Sequence, residues 1–96
     1  MAIQSFGDRA TRSVFITGEP GRRVGWASVL SVVQRKLDMI HYAAKLDDLR
    51  APPGNRLEVL RGALAGHCSI RVKDQWRVVF RWTAAGPADV RVVDYH

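Results

Sequence analysis

The residues best suited to chemistry in this sequence are Tyr95, with Asp94 and His96 on either side of it in "VVDYH", and the arginines spaced along "HCSIRVKDQWRVVFRW" and "VRVV". Several guanidinium groups around a tyrosine, beside an aspartate and a histidine, suit metal-free chemistry on a phosphodiester. Guanidinium holds phosphate bidentately and stabilises charge that develops in the transition state, while a phenol or imidazole moves a proton. On RNA the 2′-hydroxyl is itself a nucleophile, so the protein need supply only geometry, a base, an acid and positive charge. Adjacent cations also favour the phenolate form of a tyrosine.

These groups act together only if the chain folds them onto one surface. Beyond the loop "APPGN" the apolar period is two, and "RLEVLR", "HCSIRVK", "WRVVFRWT" and "VRVVDYH" read as four strands. In the third, Trp76, Val78, Phe80 and Trp82 point one way and Arg77, Val79, Arg81 and Thr83 the other. Cys68, Ile70 and Val72 alternate in the same way with His67, Ser69, Arg71 and Lys73. If both apolar sets share a core face, Ile70 pairs with Val78, Val72 with Trp76, and "KDQ" is a three-residue loop. The opposite, open face then sets Arg71 across from Arg77 and His67 across from Arg81.

Like charges directly opposed on a sheet cost stability, so paired arginines call for an anionic ligand. Arg91, Val93 and Tyr95 join that face if Val90 and Val92 join the core. Pairing Trp82 with Val90 places Tyr95 opposite Arg77, and a slip of two residues would keep the parity. Arg71, Lys73, Arg81, Arg91 and His67 are therefore candidates for holding RNA around Arg77 and Tyr95. The same pattern also fits a solvated sheet surface on which arginines lie flat over valines.

The first half of the chain supplies what covers the core face. "IQSF" at 3–6 reads as a short strand, and Asp8 as the N-cap of a helix that runs to Phe15 and Ile16 and stops at Gly18. Trp26, Val29, Leu30, Val33, Leu37 and Ile40 fall at steps of three and four, a stripe predicting a long helix to about Ala44. "KLDDLR" reads as one further helical turn. Helices followed by a meander of strands predict an α+β fold, with helices on one face of the sheet.

Composition narrows the function classes. The 96 residues suit one domain, 1–96, and carry a net charge of +6, split as +3 on residues 1–55 and +3 on 56–96. Spread basic charge fits a partner rich in phosphate or an acidic protein. A single cysteine, Cys68, excludes an internal disulfide and a cysteine-based zinc site, and its parity makes it a small core residue. Three histidines far apart offer no metal-ligand spacing, so no metal or other cofactor is expected. His41 reads as a packing or surface residue. No apolar run approaches the roughly 20 residues that cross a bilayer, and no signal-peptide core is visible, so a cytoplasmic location is expected. A helix-turn-helix DNA binder fits the size and charge, but here the arginines cluster on strands.

The order "PPGNRLEVLRG", "HCSIRVKDQWRVVFRW" and "VVDYH", with "IQSF" and "LDDLR" before it, resembles the HigB toxins of bacterial toxin–antitoxin systems, within the RelE/ParE superfamily. The resemblance implies a RelE-like fold, with helices on one face of a mostly antiparallel sheet of four to five strands. It implies a ribosome-dependent endoribonuclease that cuts mRNA without metal. It also implies a small helix-turn-helix antitoxin of HigA type, with which a chain monomeric on its own forms a hetero-oligomer. By the same resemblance Tyr95 takes part in proton transfer with Asp94 and His96 assisting, and Arg77 stabilises the scissile phosphate. Arg61 stands where many members have lysine, keeping the charge but changing its geometry. Glu58 stands where some members have histidine, so either Glu58 replaces that base or Tyr95 and His96 take on more of the work. Two other functions remain compatible with the sequence: a gyrase poison of the same fold, which generally lacks the terminal triplet, and a non-enzymatic module binding nucleic acid or antitoxin.

Overall fold

Helix α1 (Arg9–Thr17) begins and ends as its flanking residues dictate. The Asp8 carboxylate accepts the Thr11 N–H at 2.7 Å, and Gly18, at φ 88°, returns its N–H to the Val14 carbonyl. The computed structural model describes residues 1–95 and places α1 beside helix α2 (Leu30–Tyr42). The apolar stripe holds, but its first residues form a 3₁₀ turn, Ala27–Val29, and the α-helix proper starts at Leu30. Val33, Leu37 and Ile40 are fully buried. "LDDLR" forms a 3₁₀ turn as expected, and a second 3₁₀ turn covers Pro53–Asn55.

Four strands follow in a simple antiparallel meander: β1 (Glu58–Val59), β2 (Cys68–Lys73), β3 (Trp76–Thr83) and β4 (Gly86–Asp94), in that spatial order. The architecture is the expected α+β. "IQSF" is extended and runs parallel to β4, with Phe6 bridging Val90 and the Gln4 N–H donating to the Pro87 carbonyl at 2.7 Å. It thus caps the sheet's outer edge without becoming a full fifth strand. "RLEVLR" shrinks to the two residues of β1, because the chain turns into a 3₁₀ turn at Gly62–Leu64.

The core lies where parity puts it. Cys68, Ile70, Val72, Val78, Phe80, Val90 and Val92 pack against Val14, Val33, Leu37 and Ile40, with Trp76 and Trp82 partly buried at its margin. Full burial of a side chain such as Phe80 contributes about 1.5–3 kcal/mol. The buried N–H of Val92 donates to the Thr11 hydroxyl at 3.1 Å, which pins α1 to the last strand. No helix among the described residues is long and apolar enough to cross a membrane.

Three details differ from expectation. At the first hairpin Ile70 faces Val78 and Arg71 faces Arg77 as expected, but Trp76 faces Lys73 in place of Val72. Asp74, at φ 51°, tightens the turn, and Val72 bulges while staying in the core. In the second hairpin Thr83 pairs with Gly86, so "GPAD" belongs to β4 and not to a loop. The Thr83 hydroxyl makes this possible by donating to the Gly86 carbonyl and accepting the Ala85 N–H. The register is then shifted by two from the first expectation: Val93, not Tyr95, lies across from Arg77. A bulge sets Asp89 and Val90 of β4 against Phe80 alone, with Asp89 at φ 53°; Val90 and Val92 keep the core face, and beyond the bulge the alternation inverts, so that Ala88 lies across from Arg81.

Candidate functional site: a buried arginine beneath a tyrosine

The face opposite the helices is not the open surface that parity implied. Ser69, Val79 and Arg77 on that face are buried, Arg77 to 6% exposure. The reason is that the Arg77 side chain folds back onto its own sheet. Its Nε donates to Ser69 Oγ at 2.7 Å, and its Nη2 donates to the Arg56 carbonyl at 2.6 Å and the Ser69 carbonyl at 3.3 Å. The remaining nitrogen, Nη1, lies 4.0 Å from Glu58 Oε1. The guanidinium is fixed by three hydrogen bonds, with Nη1 nearest the half-exposed Glu58 carboxylate.

Each contact follows from local structure. Glu58 pairs with Ser69 across β1 and β2, so carboxylate and hydroxyl rise side by side next to Arg77. The Arg56 carbonyl is aimed by a left-handed residue at φ 47°, held in place by its neighbour. That neighbour, Asn55, is fully buried; its amide donates to the Leu49 and Ala51 carbonyls, and its Oδ1 accepts the Lys36 ammonium at 2.5 Å. Lys36 occupies the core-facing stripe of α2, and burial, helped by Arg35, lowers its pKa. A chain of polar contacts therefore runs from α2 through the 49–56 loop to the arginine.

Tyr95 completes the site. Its ring lies with its centroid 5.8 Å from Arg77 Cζ, within cation–π range, and its N–H donates to the Gln75 carbonyl. The ring is 39% exposed, so one surface covers the guanidinium while the other faces solvent. Burial pulls the Arg77 pKa below its ordinary value, and Glu58 and then Tyr95 pull it back up. Arginine remains charged throughout this range. The result is a desolvated cation with an aromatic lid and a carboxylate at its edge, a setting in which its field is weakly screened.

The structure gathers Arg77, Glu58, Tyr95 and Arg71 into one place. Asp94 is exposed and pairs across from Trp76, so its backbone borders Tyr95 on β4. His96 lies outside the described residues. Arg61 is exposed at the entry to the 3₁₀ turn after β1, and Lys73 is exposed at the β2–β3 turn. The methylene stem of Arg91 lies across Gly7, where an added Cβ would come within 2.9 Å of it. Arg81 is drawn away: its Nε donates to Asp89 Oδ2 at 2.6 Å, and that bond lowers the Asp89 pKa. His67 lies near this pair, contributing to the same lowering, and its buried Nδ1 has no hydrogen-bond partner among the described residues.

Ser69, the Arg56 carbonyl and Asn55 escaped the sequence reading. Ser69 was detectable in principle, as a small hydroxyl sharing Arg77's parity on the adjacent strand. The backbone carbonyl left no trace in residue type. Cys68 is buried and its thiol pKa is raised by desolvation, as suits a core residue. His41 packs on Phe15 and accepts the Ile3 N–H through Nδ1.

Two curated relatives are similar to part of this chain. Toxin HigB-1 of Vibrio cholerae serotype O1 is 48% identical over 56 residues, covering 58% of this chain and 59% of that protein. An uncharacterized protein of Haemophilus influenzae is 39% identical over 56 residues, 58% of this chain and 55% of that protein. The chain thus spans less than two thirds of either relative. A family model described as the RelE-like toxin of type II toxin–antitoxin system HigB matches residues 4–96. With nearly the whole chain matched and the α+β meander in place, the protein belongs to the HigB-like family of RelE-like toxins.

Proposed function

We propose that this protein is an endoribonuclease that cuts mRNA on the ribosome and is neutralised by an antitoxin of HigA type in the cytoplasm. The observation that carries the reading is the Arg77 guanidinium, buried and clamped by Ser69 and Arg56, with Tyr95 over it and Glu58 at 4.0 Å. A preorganised cation costs no reorganisation when a phosphorane-like transition state gathers charge beside it, and such a group contributes about 10²–10³ in rate.

In this mechanism the scissile phosphate docks at the rim where Nη1 of Arg77 points, with Arg71 across the strand pair and Arg61 supporting its charge. The 2′-hydroxyl oxygen forms a bond to phosphorus as the bond to the 5′-oxygen breaks, leaving a cyclic phosphate and a 5′-hydroxyl. One group takes the proton from the 2′-oxygen and another delivers a proton to the 5′-oxygen. Glu58 and Tyr95 flank the phosphate position and serve these steps, assisted by Asp94 and His96. Arg81, Arg91 and His67 on the same face, and Lys73 at the β2–β3 turn, serve as auxiliary RNA contacts.

Mapping mRNA 5′ ends after induction tests the reading. New codon-registered ends in wild type, absent for Arg77→Ala and Tyr95→Phe, are the expected result. A DNA-damage response without new ends would replace cleavage with gyrase poisoning, and neither response would leave a binding module.

A further inference from the structure

A second concentration of arginine lies away from the Arg77 site. The outward face of α1 and the loop after it enclose a cleft of about 460 Å³ lined by Arg9, Arg12, Ser13, Pro20, Gly21 and Arg22. We infer that this cleft binds the phosphodiester backbone of RNA, as a docking subsite beyond the cleavage site. The inference rests on the reading of the chain as an RNA-acting protein and adds a place where the strand is held.

Three guanidinium groups converge here without a carboxylate to neutralise them. None forms an ion pair among the described residues, and the single polar contact they make is from Arg22 Nη1 to the Arg23 carbonyl. The two acids nearest in sequence do not serve: Asp8 accepts the Thr11 N–H as the helix cap, and the Glu19 carboxylate forms no ion pair among the described residues. Gathering like charges around a cavity is unfavourable unless an anion sits among them, and guanidinium forks match phosphate oxygens bidentately. An acidic peptide is the lesser fit, because the lining offers only Pro20 as an apolar anchor and peptide docking relies on such anchors.

The cleft is preformed. Ser13 Oγ donates to the Glu19 carbonyl at 2.6 Å, and the Thr17 hydroxyl both donates to that carbonyl and accepts the Glu19 N–H. These bonds fold the loop onto α1 and bring Arg22 to Arg9 and Arg12. Its position is also informative. The loop continues to Gly25, whose Cβ position would fall 2.9 Å from the Trp76 ring, and Trp76 pairs with Asp94. The same helix receives the Val92 N–H at Thr11. The loop that walls the cleft therefore runs on toward the end of the sheet where Trp76 pairs with Asp94.

The test uses the full chain and a variant with Arg9→Ala, Arg12→Ala and Arg22→Ala, with thermal unfolding to establish that both are folded. Binding is measured against two probes across a salt series: a 2′-O-methylated single-stranded RNA, which cannot be cut, and 70S ribosomes free of mRNA. A tenfold or greater loss on at least one probe is expected, and on the oligonucleotide a slope of log K against log salt shallower by about 2, as three lost phosphate contacts require. The probe affected tells whether message or ribosomal RNA occupies the cleft. Replacing the three arginines by lysine should restore part of the affinity, since charge without the fork remains.

Unchanged affinity and slope on both probes would overturn the inference, as would wild type binding neither probe. An equal loss toward polyglutamate would overturn the RNA assignment. Wild type that binds RNA through these arginines yet cuts no message removes the cleavage proposal and leaves the cleft. A cutting wild type whose variant binds normally removes the cleft alone.

Discussion

Arg77 and Arg81 stand four residues apart on one face of one strand, and the fold treats them in opposite ways. Arg81 is exposed at the far end of the sheet and meets a carboxylate at 2.6 Å, Asp89, which a backbone bulge delivers to it. Arg77 is buried, meets neutral oxygens at 2.6–3.3 Å, and has the Glu58 carboxylate at 4.0 Å. A tight surface pair cancels its own charge and gives little stability. A cation satisfied by dipoles keeps its charge for something else. The pattern thus separates an arginine neutralised by its own carboxylate from one satisfied mainly by neutral oxygens, as the proposed anion site would need, although the sequence context "WRVVFR" presents both alike.

Exchanging the roles would break this contrast most sharply. Arg77→Lys cannot keep the Ser69 and Arg56 contacts together, and it should lower mRNA cleavage by about 10²–10³, as the loss of a preorganised donor does. Arg81→Gln should lower cleavage by no more than a few fold. Cleavage rates on programmed ribosomes check both, and equal losses would erase the distinction. Tyr95→Phe, which keeps the ring over Arg77 and removes the proton, should cost about 10²-fold in rate with an unchanged unfolding midpoint.

A third variant reaches Arg77 through its support. Asn55→Ala leaves the Lys36 ammonium and two buried carbonyls short of partners, and should destabilise by about 2–3 kcal/mol in urea titration. It should also lower cleavage, because the Arg56 carbonyl loses its anchor. The smallest effect belongs to the surface pair. Arg81 holds the Asp89 carboxyl below its ordinary value of 3.8, so the pair's contribution is present above that pH and is lost as the pH falls through the lower folded value. Arg81→Gln should flatten that acid limb in a series of thermal midpoints, leaving neutral pH almost unaffected.

Much of this molecule is visible in its residue order, for reasons that differ by region. Asp8 and Gly18 announce α1 because capping is local chemistry, and alternation in 68–73 and 76–83 gives the sheet faces because the pleat has a fixed period. The Arg71–Arg77 pairing follows from that parity. Parity does not report cover, however, so a buried Arg77 on a supposedly open face was invisible. Nor does it count bulges: "GPAD" carries loop residues, and only the Thr83 hydroxyl and the Asp89 conformation draw it into β4. The cleft of Arg9, Arg12 and Arg22 depends on how a loop folds back, which charge counts do not reveal. The roles of Asp94 and His96 rest on resemblance.

Gly86 adds a constraint of a different kind. Its φ of 129° and the approach of the Ala2 carbonyl, 2.7 Å from where a Cβ would stand, show how closely the opening residues lie on the last strand. Ser5 and Asp89, joined across this seam, are 84 positions apart in sequence. Ile3 and Phe6 can meet His41 and Phe15 early, but the Ser5–Asp89 contact must close a loop of high sequence separation, a slow kind of step in folding. The seam is therefore the long-range step in completing this sheet, whereas Tyr95 reaches Gln75 and Arg77 across the shorter span of the hairpin.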